Sequence, residues 1–165
     1  MENINLILPE IFLSISIFTT LLIGVFFKNS YNLVVNITYI IIISLLLIIF
    51  NSFNESGNLF SNSFVSNSFT NFFKVLILLG TLFVMFITQD FIKDMKIDYF
   101  EYPLLLLFSV LGMFFMVSSN DLMSFYLGLE LQSLALYILA SLDRDNLKSN
   151  EAGIKYFILS ALSSG

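Results

Sequence analysis

Apolar runs of about twenty residues, separated by short polar breaks, set the rhythm of the chain. A run of that length crosses the ~30 Å hydrocarbon layer as a helix. Charge-poor runs predict helices over residues 4–27, 31–53, 71–92, 103–119, 121–142 and 150–165. Pro9 falls in the opening turns of the first, where a missing N–H costs little. The second contains "YIIIISLLLIIF" and is the cleanest span. In the third, Lys74 lies near one end, where its ammonium is expected to snorkel to the interface. At 1.5 Å per residue the last run is about 24 Å long, short of the hydrocarbon thickness. Either another chain completes it or the sequence is a piece of something longer.

Between the second and third runs, residues 51–73 read "NSFNESGNLFSNSFVSNSFTNFF". Phe at this density predicts an interfacial loop dipping toward lipid; a disordered connection is the alternative. No internal repeat is visible. Positive charge sorts the connections. Lys28, Lys93, Lys96, Arg144 and Lys148 fall in odd-numbered connections, and the even-numbered ones hold only Lys74. The odd connections therefore face the cytoplasm or matrix and the N-terminus faces the other side.

Composition supports this reading. Of 165 residues 58% are hydrophobic and 12% charged, against roughly 25% charged in soluble domains. The fold class is an all-α polytopic membrane protein with about six transmembrane helices. A net charge of −5 without clustered Lys and Arg excludes a nucleic-acid partner. The absence of Cys and His removes thiolate metal sites and the usual haem ligand, so redox chemistry belongs on a partner. The opening "MENINLILPEIF" has acids and no base, unlike a secretory or transit peptide. Synthesis inside an organelle or a bacterium is expected.

One residue breaks the apolar rule at mid-depth. Glu130 sits near the centre of "DLMSFYLGLELQSLALYILASLDRDN". An ionisable group there costs about 2.5–3.5 kcal/mol even on lenient scales and defaults to a functional hypothesis. On a helical wheel Tyr126, Glu130, Ser133, Tyr137 and Ser141 share one face as a polar stripe. Ser124, Gly128, Gln132 and Ala135 line another with the small or amide groups that close packing requires, so this helix is expected to be enclosed by protein. Burial favours a neutral carboxyl and a nearby cation favours the charged form. A carboxyl whose protonation follows the position of one cation can gate a proton. A neutral Glu hydrogen-bonded to a neighbouring helix is the alternative. Lys155 is a second candidate, against simple snorkelling. The series Asp90, Lys93, Asp94, Lys96, Asp98 and Glu101 reads as a solvated, self-compensating loop rather than a cation site. Asp121 reads as a helix cap.

Two stretches, "FYLGLELQSLALYIL" and "EAGIKYFILSALSSG", closely resemble the antiporter-like membrane subunits of respiratory complex I, in the family of NADH dehydrogenase subunit 2 and bacterial subunit N. "LPEIFL" is similar to the start of such a chain. The resemblance implies a proton-translocating subunit of a fold with inverted five-helix repeats and broken helices. Residues 1–100 would be three N-terminal helices with the 51–73 loop, and 101–165 the first three helices of the first repeat. It implies that Glu130 and Lys155 transfer protons; the polar stripe read from the helical wheel adds Tyr126, Ser133 and Tyr137 as supporting residues. No cofactor is implied for this chain; FMN, iron–sulfur clusters and quinone would sit on partner subunits. The expected partners are other complex I membrane subunits, including a second chain completing this one. The expected location is the mitochondrial inner membrane for an organelle-encoded chain, or a bacterial plasma membrane. The family chain continues well beyond residue 165, carrying the lysine that pairs with the fifth-helix glutamate. A cation/proton antiporter subunit and a purely structural scaffold are the rival readings.

Overall fold

A computed structural model describes residues 4–27, 31–94 and 99–164. A 3-10 turn, Ile4–Ile7, leads into α1 (Leu8–Phe26), followed by α2 (Tyr31–Asn51). A two-stranded hairpin, β1 (Gly57–Leu59) and β2 (Phe64–Ser66), precedes α3 (Ser68–Asp94). Then come α4 (Glu101–Ser118), α5 (Leu122–Ala140) and α6 (Leu147–Ser164). The six predicted helices all form. Five, α1 to α5, are long and apolar enough to cross a membrane, whereas α6 carries Lys148, Glu151 and Lys155 in its first half. Lys28, Lys96 and Asp98 lie outside the described residues.

The bundle is organised around α4, which packs against α1, α2, α3 and α5. Leu107, Val110 and Phe114 of α4 are fully buried with Leu13 and Ile17 of α1, Ile42 and Leu45 of α2, and Leu78 of α3. The outward apolar side chains of α1 to α3, such as Phe18, Leu47 and Phe86, remain exposed, as lipid-facing positions do. Apolar side chains gain little by leaving lipid, so close packing and internal polar contacts hold such helices together. α4 and α5 supply the packing. A Cβ added at Gly112 would lie 2.8 Å from the Gly128 carbonyl oxygen, and one at Gly128 would lie 2.8 Å from the Met116 nitrogen. The two backbones therefore touch through glycine.

The connection between α2 and α3 carries a short hairpin in an otherwise helical fold. β1 and β2 pair antiparallel, Gly57 with Ser66 and Leu59 with Phe64. Strands of three residues give the alternating pattern too little length to register, and an isolated hairpin is marginal in water. This one is anchored. Leu6, Leu59 and Phe64 form a small buried cluster, and Phe64 bridges to Ser119 beyond α4. Asn120 donates its backbone N–H to the Ser63 carbonyl at 3.0 Å and its side-chain amide to the Asn62 carbonyl at 2.9 Å. Phe60, Ser61 and Asn62 adopt positive φ values of 52°, 53° and 74°. Only Asn is at ease there. α3 also begins three residues early: Asn67 caps it by accepting from the Thr70 N–H at 2.9 Å, while Thr70 Oγ1 accepts from the Asn67 N–H.

Candidate functional site

α5 owes its start to Asp121, whose carboxylate accepts the Ser124 N–H at 2.6 Å. The predicted cap forms. That backbone bond, aided by the Ser63 hydroxyl, holds the Asp121 carboxyl below its ordinary value. Gly128 then brings α5 against α4, with Ala135 buried in register seven residues on. Gly153 of α6 admits Ser141 and the Tyr137 carbonyl so closely that a Cβ would lie 2.6 Å from the Ser141 Cβ.

Glu130 sits midway along this helix and is half-buried, with Oε1 shielded from solvent and making no hydrogen bond among the described residues. The polar stripe does not assemble around it. Ser133 donates to the Glu130 main-chain carbonyl at 3.1 Å rather than to the carboxylate. Tyr137 is buried and turns to α6, where its hydroxyl bonds Ser160 and its ring meets Tyr156 and Phe157 edge-on. Tyr126 is exposed. Sharing a wheel sector does not make side chains meet when each has a nearer partner. Of α5, only Gly128, Ala135 and Tyr137 are buried, so within this chain the helix is not enclosed as expected. Lys155 is exposed and pairs with Glu151 one turn back at 2.5 Å. No ion pair joins it to Glu130 among the described residues.

The largest departure concerns Lys74. It does not snorkel. Its side chain is 0% exposed, with Nζ 2.6 Å from Oε1 of Glu10, itself 1% exposed. The contact is a close ion pair rather than an aligned hydrogen bond, and Glu10 Oε2 makes no hydrogen bond. Nζ lies 5.4 Å from the centre of the Phe64 ring and 5.9 Å from that of Phe114. Snorkelling fails because Glu10 takes the ammonium inside the bundle, with Phe64 of the hairpin and Phe114 of α4 against it. The signal available in the sequence was an acid and a base in apolar surroundings, "LPEIFL" and "NFFKVL", near the same membrane face. With Lys74 out of the loops, the even-numbered connections hold no Lys or Arg at all.

At the other end Arg144 pairs with Glu101 at 2.9 Å and lies over the Tyr99 ring. Among the described residues no group of three or more His, Cys, Asp or Glu is placed to hold a metal.

Fold and site together define a polytopic α-helical membrane protein with an antiporter-like domain. Residues 119–165 match the family described as NADH:quinone oxidoreductase/Mrp antiporter, TM. Across its length the chain is 53% identical to NADH-quinone oxidoreductase subunit N of Pelagibacter ubique, covering 100% of this chain and 35% of that one. The counterpart from Bartonella bacilliformis is 45% identical over 97% of this chain and 33% of its own length. The fold also matches respiratory complex I from Thermus thermophilus with bound aureothin, at a TM-score of 0.78 and 24% identity, covering 94% of this chain and 34% of that one. Along almost its whole length the chain is thus similar to the NADH-quinone oxidoreductase N subunits, and it spans about a third of the length of these relatives.

Proposed function

We propose that this chain forms the N-terminal part of a proton-translocating membrane-arm subunit of respiratory NADH:quinone oxidoreductase. Its own role is proton transfer. Glu130, a carboxyl at mid-span with a shielded, unpartnered oxygen, carries the reading. An unsatisfied carboxyl in a bilayer favours its neutral form until a cation approaches. Glu130 takes up a proton, forming a carboxyl O–H, and releases it when a lysine from chain beyond these helices draws near. Lys155 serves as a neighbouring cation in exchange with Glu151. Ser133 supports the site through the Glu130 main chain and Tyr137 through the seam of α5 with α6, while Tyr126 offers a hydroxyl on the same face of α5.

The chain has no Cys or His to hold an iron–sulfur cluster or haem. Iron–sulfur clusters are therefore assigned to partner subunits, and FMN and quinone are assigned there with them, so that quinone reduction there drives the step here. The partners are the other complex I membrane subunits and the segment, on this or a second chain, that completes the fold. The membrane is the energy-coupling one: the mitochondrial inner membrane for an organelle-encoded chain, or a bacterial plasma membrane.

The family description also covers Mrp antiporters, which favours a cation/proton antiporter subunit as the second reading. Glu130→Gln in the assembled complex, reconstituted in vesicles, tests the proposal. A large loss of protons translocated per NADH oxidised is expected. An unchanged ratio would leave only a scaffold, and sodium-driven proton exchange without NADH would favour the antiporter.

A further inference from the structure

Proton transfer at Glu130 leaves unused the most deeply buried charges among the described residues, Glu10 and Lys74. Glu10 is the third residue of α1 and Lys74 the seventh of α3, about 3–9 Å inside the helix starts. They lie at the end of the bundle away from Lys93, Arg144 and Lys148. α1 and α3 pack on α2 and α4 and make little direct backbone contact, so the pair spans them across α4. Stability does not explain the pair. Desolvating two charges offsets most of their attraction, and apolar residues of similar volume commonly serve as well or better.

The surroundings are those of an exchange site. Among the described residues Glu10 Oε2 makes no hydrogen bond, and Lys74 Nζ lies against a carboxylate oxygen and two ring faces. Ser118, one turn beyond Phe114 on α4 and fully buried, has a hydroxyl with no partner. Each of these is a group that a buried water can bond. Among the described residues no further charged side chain pairs with either group. Phe64 of the hairpin roofs the pair, and Phe114 of α4 flanks it. We propose that Glu10 and Lys74 form a second proton-exchange site, served by water, at this end of the first three helices. Lys74 Nζ hands a proton to Glu10 across the 2.6 Å contact, an N–H bond breaking as a carboxyl O–H forms, so the pair becomes two neutral groups and no lone charge is left buried. The Glu10 proton leaves to water, and a proton from water on the Lys74 nitrogen restores the ion pair.

The inference rests on the pumping role proposed for the chain, and its test separates the two. E10L/K74M removes both charges together, leaving neither unpaired, and is compared with E130Q in the reconstituted complex. The expected result is assembly and NADH oxidation with a loss of protons translocated per NADH. A ratio equal to the unmodified complex, beside a lowered ratio in E130Q, would reduce the pair to a clamp. An unchanged ratio in E130Q would overturn the pumping reading itself. Infrared difference spectra of the complex across a pH step test the site should the double variant fail to assemble. A protonated-carboxyl C=O band that shifts in E10D supports the exchange; identical spectra for E10D and the unmodified chain overturn it.

Discussion

Gly112 of α4 and Gly128 of α5 face each other at backbone contact: a Cβ on Gly128 would lie 2.9 Å from the Gly112 carbonyl oxygen. The neighbours are main chain and cannot rotate away. Gly128→Ala is expected to destabilise the protein by about 1–3 kcal/mol through forced separation of the helices. Gly80→Ala, with nothing within 4 Å of its added Cβ, is the control and is expected to be neutral or stabilising. Thermal denaturation in detergent compares the two. Equal melting temperatures would show that the crossing is not tight.

The Asp121 cap predicts a pH dependence. Its carboxyl is held below the ordinary 3.8, chiefly by the Ser124 N–H. A folded value lowered in this way adds stability above the ordinary value, and the contribution is lost as pH falls through the lowered one. Asp121→Asn keeps an acceptor for the cap but removes the titration. The melting-temperature gap between the two proteins is expected near neutral pH and should close in strong acid. A constant gap would mean that the carboxylate charge is irrelevant to the cap.

Asn67 and Thr70 exchange hydrogen bonds at the start of α3. Asn67→Ala is expected to cost about 1 kcal/mol, the usual value of an N-cap. It should also loosen the adjoining hairpin, read as faster amide exchange over residues 57–66. Protection unchanged there would show that hairpin and cap are independent.

Two ion pairs separate burial from proximity. Arg144 is 66% exposed, so Arg144→Ala is expected to shift stability by less than about 1 kcal/mol despite a 2.9 Å contact. Lys74→Met alone leaves Glu10 buried and unpaired, and about 3–5 kcal/mol of destabilisation is expected. A ranking of the two variants in the opposite order would contradict the burial of Lys74.

The six helices were legible because a bilayer asks the same thing of every span: enough apolar residues, with backbone groups satisfied within the helix. Glu130 stood out for the same reason, as a carboxyl in mid-span, and Asp121 because a cap is a contact between residues three apart. Hairpin residues 57–66 were not legible as strands, since they are held by Leu6 and Asn120, distant in sequence.

By itself the sequence determined which segments enter the membrane, which face carries the positive charge, and which carboxyl is out of place there. These are local properties of composition and period. Tertiary structure decided who meets whom. It sent Tyr137 to Ser160 instead of Glu130, and it buried Lys74 on Glu10 instead of letting it reach water. The reason is geometric: partners sixty-four residues apart in sequence are chosen by how α1 and α3 lie around α4, which no window of either helix encodes.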